Sequence, residues 1–426
     1  MRKIFGLGYM GFLLTWVPYL RAMLLVPFKD SLLADANLDS FDPNAYFRDS
    51  HVRLKTSGQS QAITAAITEI KGQIILDGES GLGKTMFLRH LVQCSKRPVA
   101  YLPATKCARG VLEAIQAKLH GYAKDETFLR SLIYSGAIDV CIDGLNEVSP
   151  DTRAQVATFM ESNFKGNILL GTQPLEWTPP ATARIYLLEP LTKKQIEAFL
   201  LSRKDVLPAD AQIKGEEYKR ACRDYLAWAL AENQPCGVLE VTQRVLCNSM
   251  DLTVVAWMIA QREKLDLFHL ERQQYRLMAD DYKRVNVSQE FPLKPFSEQL
   301  YQMRMNDEAA IPEQAFQEEL RCMERHKMVL RRQVLDDSKQ TTEWHFRHDR
   351  IMDFFIVQTF LGTGNERPHQ HLGDTRFRGV YFQLAALLPF HEAEALREFL
   401  IDYAADTKDH TVSDTFIQLL RSRRAT

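Results

Sequence analysis

Between residues 73 and 188 the apolar positions fall in short unbroken runs separated by stretches with three- and four-residue spacing. The runs are Gln73–Asp77, Pro98–Leu102, Ala137–Ile142, Asn167–Leu170 and Arg184–Leu188, each too short for a buried helix and apolar on successive positions, as a strand covered on both faces requires. After the first run, Phe87, Leu88, Leu91 and Val92 share one face of a helix through Ser95, and helices are expected over Val111–Leu119 and Phe128–Tyr134. Ser149-Pro150-Asp151 starts another helix, with a capping hydroxyl, a proline at the first helical position and an acid in the first turn. Thr192 and Gln195 form a capping box that opens a helix through Phe199 and Leu200. Strands alternating with helices predict an α/β fold with a doubly wound parallel sheet.

The start of the chain has a different pattern. No charged residue occurs from Ile4 to Leu20, and Ala22–Phe28 is again apolar after Arg21. As a helix, residues 4–28 with a snorkelling Arg21 cover the roughly 30 Å of a bilayer core, so one membrane-spanning helix is expected. Two alternatives stand beside it: a signal peptide with Leu33-Ala34-Asp35-Ala36 as cleavage site, and an apolar helix packed on the protein or lying on a membrane surface. Gly6, Gly8 and Gly11 spell a dinucleotide-binding pattern, but too few residues precede them for a strand, and Pro18 interrupts the helix that should follow.

Composition narrows the classes. The 426 residues are 46% hydrophobic and 25% charged, with 53 Lys+Arg against 54 Asp+Glu. That is enough apolar material for two or three ordinary domains, and it leaves no global charge to recruit nucleic acid, so no nucleic-acid partner is expected.

The candidate chemistry begins where the first strand ends. Gly78-Glu79-Ser80-Gly81-Leu82-Gly83-Lys84-Thr85 fits G-x-x-x-x-G-K-[ST], between a strand and a helix. Glycines let successive backbone N–H groups face phosphates, Lys84 neutralises β/γ oxygens, and the Thr85 hydroxyl suits Mg²⁺, so ATP/ADP and Mg²⁺ are the expected ligands. Asp143, ending the third apolar run, supplies the second metal-site acid, and Glu147 is placed to polarise the attacking water. A strand-ending turn acid at Asp143 and a solvated cap at Glu147 are the plainer readings of those residues. Adenine is favoured because no Asn-Lys-x-Asp guanine-reading motif occurs.

The run Phe128–Glu147, ending Asp143-Gly144-Leu145-Asn146-Glu147, resembles the second motif of the NACHT family of signal-transduction NTPases within the STAND class. Leu169–Pro174 resembles its sensor strand, Leu188–Ile196 its "proline-leucine-threonine" helix entry, and Asn248–Thr253 a segment of its small helical domain. Trp344–Phe355 resembles the end of its winged-helix domain, in which His348 matches a histidine that touches the bound diphosphate; a helix-start histidine satisfied by backbone is its plainer reading. Asn146, Gln173 and Ser249 stand where the family has Asp, Arg and Pro. The first two changes remove a carboxylate beside the water and a cation, at Gln173, beside the γ-phosphate.

That resemblance implies an ATP/ADP switch of signal transduction or defence with slow hydrolysis, in which nucleotide exchange releases a helical and winged-helix lid and permits homo-oligomer formation; a continuously cycling P-loop ATPase and a non-hydrolysing membrane scaffold are the alternatives. The implied organisation is an anchor at 1–28, a linker at 29–64, a nucleotide domain at 65–205, a small helical domain at 206–262, a winged-helix domain at 263–362 and a helical region at 363–426. The expected placement is membrane-anchored through residues 4–28, with a cytoplasmic nucleotide domain and the sensor on a separate protein. No repeat of 34 or 40-odd residues is present. Seven cysteines without C-x-x-C spacing read as reduced thiols rather than metal ligands or disulfides, and His369 and His371 as loop residues without a metal pattern.

Overall fold

A strand apolar at every position must be covered on both faces, and the five runs obtain that cover in a seven-stranded sheet. The computed structural model describes residues 17–424 except 176, 209–210, 232–238, 240–241, 244, 266, 268–269, 287–288, 309, 337–338 and 363. The strands are β1 His51–Leu54, β2 Ser60–Ala62, β3 Gln73–Asp77, β4 Val99–Pro103, β5 Asp139–Asp143, β6 Ile168–Thr172 and β7 Arg184–Leu188, in the order β2-β1-β7-β3-β6-β5-β4. The last five are mutually parallel, and β1 is antiparallel to both β2 and β7.

Alternate side chains separate into two cores, as the two-residue repeat of a strand demands. Ile75, Ala100, Leu102, Val140, Ile142, Ile168 and Leu170 pack with residues of the Val111–Gln116, Glu126–Tyr134 and Pro150–Ser162 helices. Ile74, Leu76, Val99, Tyr101, Cys141 and Leu169 pack on the other face with Phe87, Leu88, Leu91 and Val92 of the Lys84–Cys94 helix. Both expected caps form: Ser149 accepts from the Thr152 N–H, and Thr192 and Gln195 complete a reciprocal capping box.

The expectations for residues 17–64 are corrected. The Pro18–Leu25 helix is followed by a 3₁₀ turn at Val26–Phe28, which contains Pro27, and then by the Lys29–Leu33 helix. Leu25 and Leu32 are fully buried in the core that holds the Val111–Gln116, Glu126–Tyr134 and Pro150–Ser162 helices, with Leu24 and Phe28 packed against it. No helix among the described residues is long and apolar enough to cross a membrane. Residues 4–16 of the expected span, with the Gly6, Gly8 and Gly11 pattern, lie outside the described residues.

The expected cleavage site at Leu33–Ala36 and the start of the expected linker lie in a segment packed on the sheet. Residues 29–36 pack along β4, the edge strand of the sheet. Asp35 is buried and receives Lys106 Nζ at 2.7 Å and Lys118 Nζ at 2.6 Å. Burial pushes its carboxyl up, but the two ammonium groups outweigh that and hold it below its ordinary value. Phe41, Tyr46 and Val52 join the opposite core, and β1 and β2 extend the sheet.

The chain divides between Pro190 and Leu191 into two compact units. The second contains the Gly215–Ala229, Ser249–Ala260, Leu270–Val285, Leu293–Met305 and Gln317–Arg325 helices, a hairpin of β8 Val329–Asp336 and β9 Lys339–Phe346, and the Asp349–Ile356 helix. Ile311 bridges Trp344 at the hairpin. Arg350 hydrogen-bonds both Asp251 oxygens at 2.8 Å and also pairs with Glu271, tying together three helices. One aromatic-rich core runs from Met278 to Leu420, so the helices from residue 367 onward pack into the same core as the hairpin and its helices.

The docking of residues 24–36 gives a measurable expectation. Leu32→Ala removes a side chain with no exposed surface and should destabilise the first unit by about 2–4 kcal/mol in denaturant unfolding. An unchanged midpoint would mean that the segment is only a tether.

Candidate nucleotide-binding site

The site is assembled at the C-terminal ends of β3, β5 and β6. β3 leads into the loop at residues 78–83, and Gly83, with φ of 100°, turns the chain into the Lys84–Cys94 helix. That left-handed backbone favours glycine. Leu82 is buried in the core and pins the loop, while the amides at the helix start remain the positive end of an eleven-residue dipole. Lys84 Nζ donates to the carbonyls of Gly78 at 2.6 Å and Glu79 at 2.9 Å, which keeps the ammonium inside the loop.

Asp143 lies at the end of β5, half-buried. Burial raises its carboxyl pKa, and this is opposed by hydrogen bonds from Thr85 and Tyr101 and by the charges of Arg89 and Lys84. The Tyr101 hydroxyl, on the neighbouring strand β4, donates to Asp143 Oδ2 at 2.9 Å. Across β6, Gly171 is the register partner of Asp143, and a Cβ there would stand 2.9 Å from Asp143 Oδ1 and 3.0 Å from Leu88 Cδ1. The carboxylate is thus fixed by a P-loop hydroxyl, a strand phenol and a neighbouring strand that leaves it room.

Thr85 and Asp143 are both hard oxygen donors joined by a hydrogen bond, and a magnesium ion fits that pair, directly or through water. Mg²⁺ bound there would neutralise phosphate charge; the residues that would hold it are Thr85 and Asp143. The turn after β5 places Gly144 at φ of 84°, with the Glu147 carboxylate folded back so that a Cβ on Gly144 would meet it at 2.8–3.0 Å. Glu147 therefore stays within one turn of Asp143. Asn146 is buried, and its Oδ1 accepts from the Gln173 N–H at 3.0 Å, linking the Asp143 turn to the end of β6. Either Asn or Asp can accept that bond.

Of the expected site residues, Gly78, Glu79, Ser80, Gly81, Leu82, Gly83, Lys84, Thr85, Asp143, Glu147 and Gln173 all belong to the first unit. His348 belongs to the second, where its Nδ1 accepts from the Arg350 N–H at 3.1 Å and caps the Asp349–Ile356 helix. Sequence reasoning missed Tyr101 and Arg89. A hydroxyl-bearing ring inside an otherwise aliphatic strand was the available signal for Tyr101, because a buried phenol needs a partner. Arg89 carried no comparable signal, being one polar position on a helix.

A family model described as the Sigma-54 interaction domain matches residues 53–129, the stretch that holds the loop, Lys84, Thr85 and Tyr101. The chain carries a P-loop NTPase domain. A solved structure of the RuvB Holliday junction branch migration motor of Thermotoga maritima is similar at 11% identity over 65% of this chain and 86% of that one. Its TM-score of 0.26 is too low to add to what the sheet itself displays. No curated protein matches the chain.

The Tyr101–Asp143 bond can be tested on the P-loop domain. A hydrogen bond to a charged group contributes about 1.5–3 kcal/mol, so Tyr101→Phe should weaken Mg²⁺-dependent nucleotide binding by roughly tenfold or more. Binding in the presence of a chelator should be unchanged. Equal loss in both conditions, measured by fluorescent-nucleotide titration, would show that Tyr101 only stabilises the fold.

Proposed function

We propose that this protein is an ATP/ADP-binding switch of the NACHT kind, in which nucleotide exchange and slow hydrolysis control self-assembly. The observation that carries the nucleotide half of this reading is the joining of Thr85, Asp143 and Tyr101 beside a strand, loop and helix that enclose Lys84. Lys84 and the helix amides bind the phosphates, Thr85 and Asp143 hold the metal, and Glu147 orients the attacking water.

Slow turnover follows from the polar groups near that water. Asn146 supplies no charge, and Gln173 offers a neutral amide where a cation would stabilise the γ-phosphate. What supports a switch is this reduced catalytic complement together with the second unit, whose helix-bordered hairpin suits a winged helix and whose Arg350 ties the His348 segment to Asp251 and Glu271. Assembly as a homo-oligomer, a sensor on another protein and a cytoplasmic nucleotide domain belong to the same proposal. Contact with a membrane, restricted now to the part before Leu24, is supported by the charge-free run Ile4–Leu20 and by the exposed Tyr19 and Met23.

A continuously cycling ATPase is the competing reading. The nucleotide that copurifies separates the two: retained ADP, lost together with triggered assembly in Lys84→Ala, is the expected result. A wild-type protein that retains no nucleotide and hydrolyses ATP at several per second, abolished by Glu147→Ala, would replace the switch with the cycling enzyme.

A further inference from the structure

Outside the phosphate site, the second unit brings three metal-binding side chains together. Cys322 and His326 are one helical turn apart at the end of the Gln317–Arg325 helix, and Asp281 faces them from the Leu270–Val285 helix. His326 Nε2 lies 3.2 Å from Asp281 Oδ2, Cys322 Sγ lies 3.8 Å from the same oxygen, and all three donor atoms fall within 4.8 Å of one another. Ligand atoms on a tetrahedral zinc ion, at bond lengths of about 2.0–2.3 Å, stand roughly 3.3–3.6 Å apart. The three donors already approach that spacing.

Their surroundings suit a cation site with one open side. Cys322 is buried and its Sγ reaches the Met278 carbonyl at 3.5 Å, whereas Asp281 keeps 24% of its side-chain surface exposed. The buried Gln274 donates to the His326 carbonyl at 3.0 Å and fixes the histidine backbone. His326 Nδ1 is buried with no hydrogen-bond partner among the described residues, and the ring packs edge-on against Trp257 at 6.1 Å. The competing cations are Arg325, 3.2 Å from Asp281 Oδ2, and Arg284, 3.7 Å from Oδ1. Their side chains are 54% and 76% exposed, so both can swing into solvent and leave the carboxylate to a metal.

We propose that Asp281, Cys322 and His326 bind a zinc-class divalent cation, with water in the fourth position. A thiolate and an imidazole select such an ion over Mg²⁺ or Ca²⁺. On binding, the Cys322 thiol releases its proton to solvent as the sulfur–metal bond forms, and the ion cross-links the two helices.

The test uses the full chain without a histidine tag, loaded with zinc, desalted, and assayed by elemental analysis and by cobalt(II) replacement. About one zinc per chain is expected, and cobalt should give the thiolate charge-transfer band and the visible spectrum of a tetrahedral site. Cys322→Ser and His326→Gln should each abolish both signals. Cys94→Ser should keep them; Cys94 pairs with His90 at the same spacing, 4.0 Å apart, and serves as the control. Folded wild-type protein that holds no zinc and shows no cobalt–thiolate band would overturn the proposal. So would a metal content unchanged in both Cys322→Ser and His326→Gln. If Cys322→Ser fails to fold, the wild-type and His326→Gln measurements decide. None of these readouts involves nucleotide, so the outcome is independent of the phosphate site.

Discussion

Asp143 sets the terms for the first unit. A carboxylate removed from water is costly unless hydrogen bonds and opposite charge replace its solvation. Each replacement comes from a different element: Thr85 and Arg89 from the helix after the loop, Tyr101 from β4, and space for the oxygen from Gly171 on β6. Because β5 lies between β4 and β6, those partners can meet only if the strand order and register are those observed. The fold and the site are thus one constraint.

The edges of the sheet raise the opposite problem. A flat parallel sheet ending at β4 would leave a row of N–H and C=O groups open to other chains. Residues 29–36 pack along that edge strand, and Asp35 pairs with Lys106 and Lys118. The apolar character of residues 24–33 is therefore spent at least partly inside the protein, where Leu25 and Leu32 have almost no exposed surface. In the second unit the corresponding fastening is ionic. Arg350 is shared by Asp251 and Glu271, and it holds together segments far apart in sequence.

The local features were legible because their causes are local. The five strands lie within a few residues of the apolar runs, the Ser149 and Thr192 caps form as their spelling requires, and the phosphate loop sits between the strand and helix that flank it. The packing of residues 24–36 was not legible for one reason: hydropathy measures the cost of exposing a segment to water but not what will cover it. A bilayer and the side of a sheet satisfy Leu25 and Leu32 equally well.

What the sequence alone determined was the list of parts: the loop, Lys84, Thr85, Asp143 and the strands that carry them, since each rests on the conformational needs of neighbouring residues. Only the tertiary structure decided which groups surround them. Tyr101 stands 42 positions from Asp143 and meets it solely because β4 and β5 are adjacent. Asp281 meets Cys322 and His326 solely because two helices pack. Hydrogen bonds and metal donors act over about 3 Å, and no pattern along the chain measures that distance between residues so far apart.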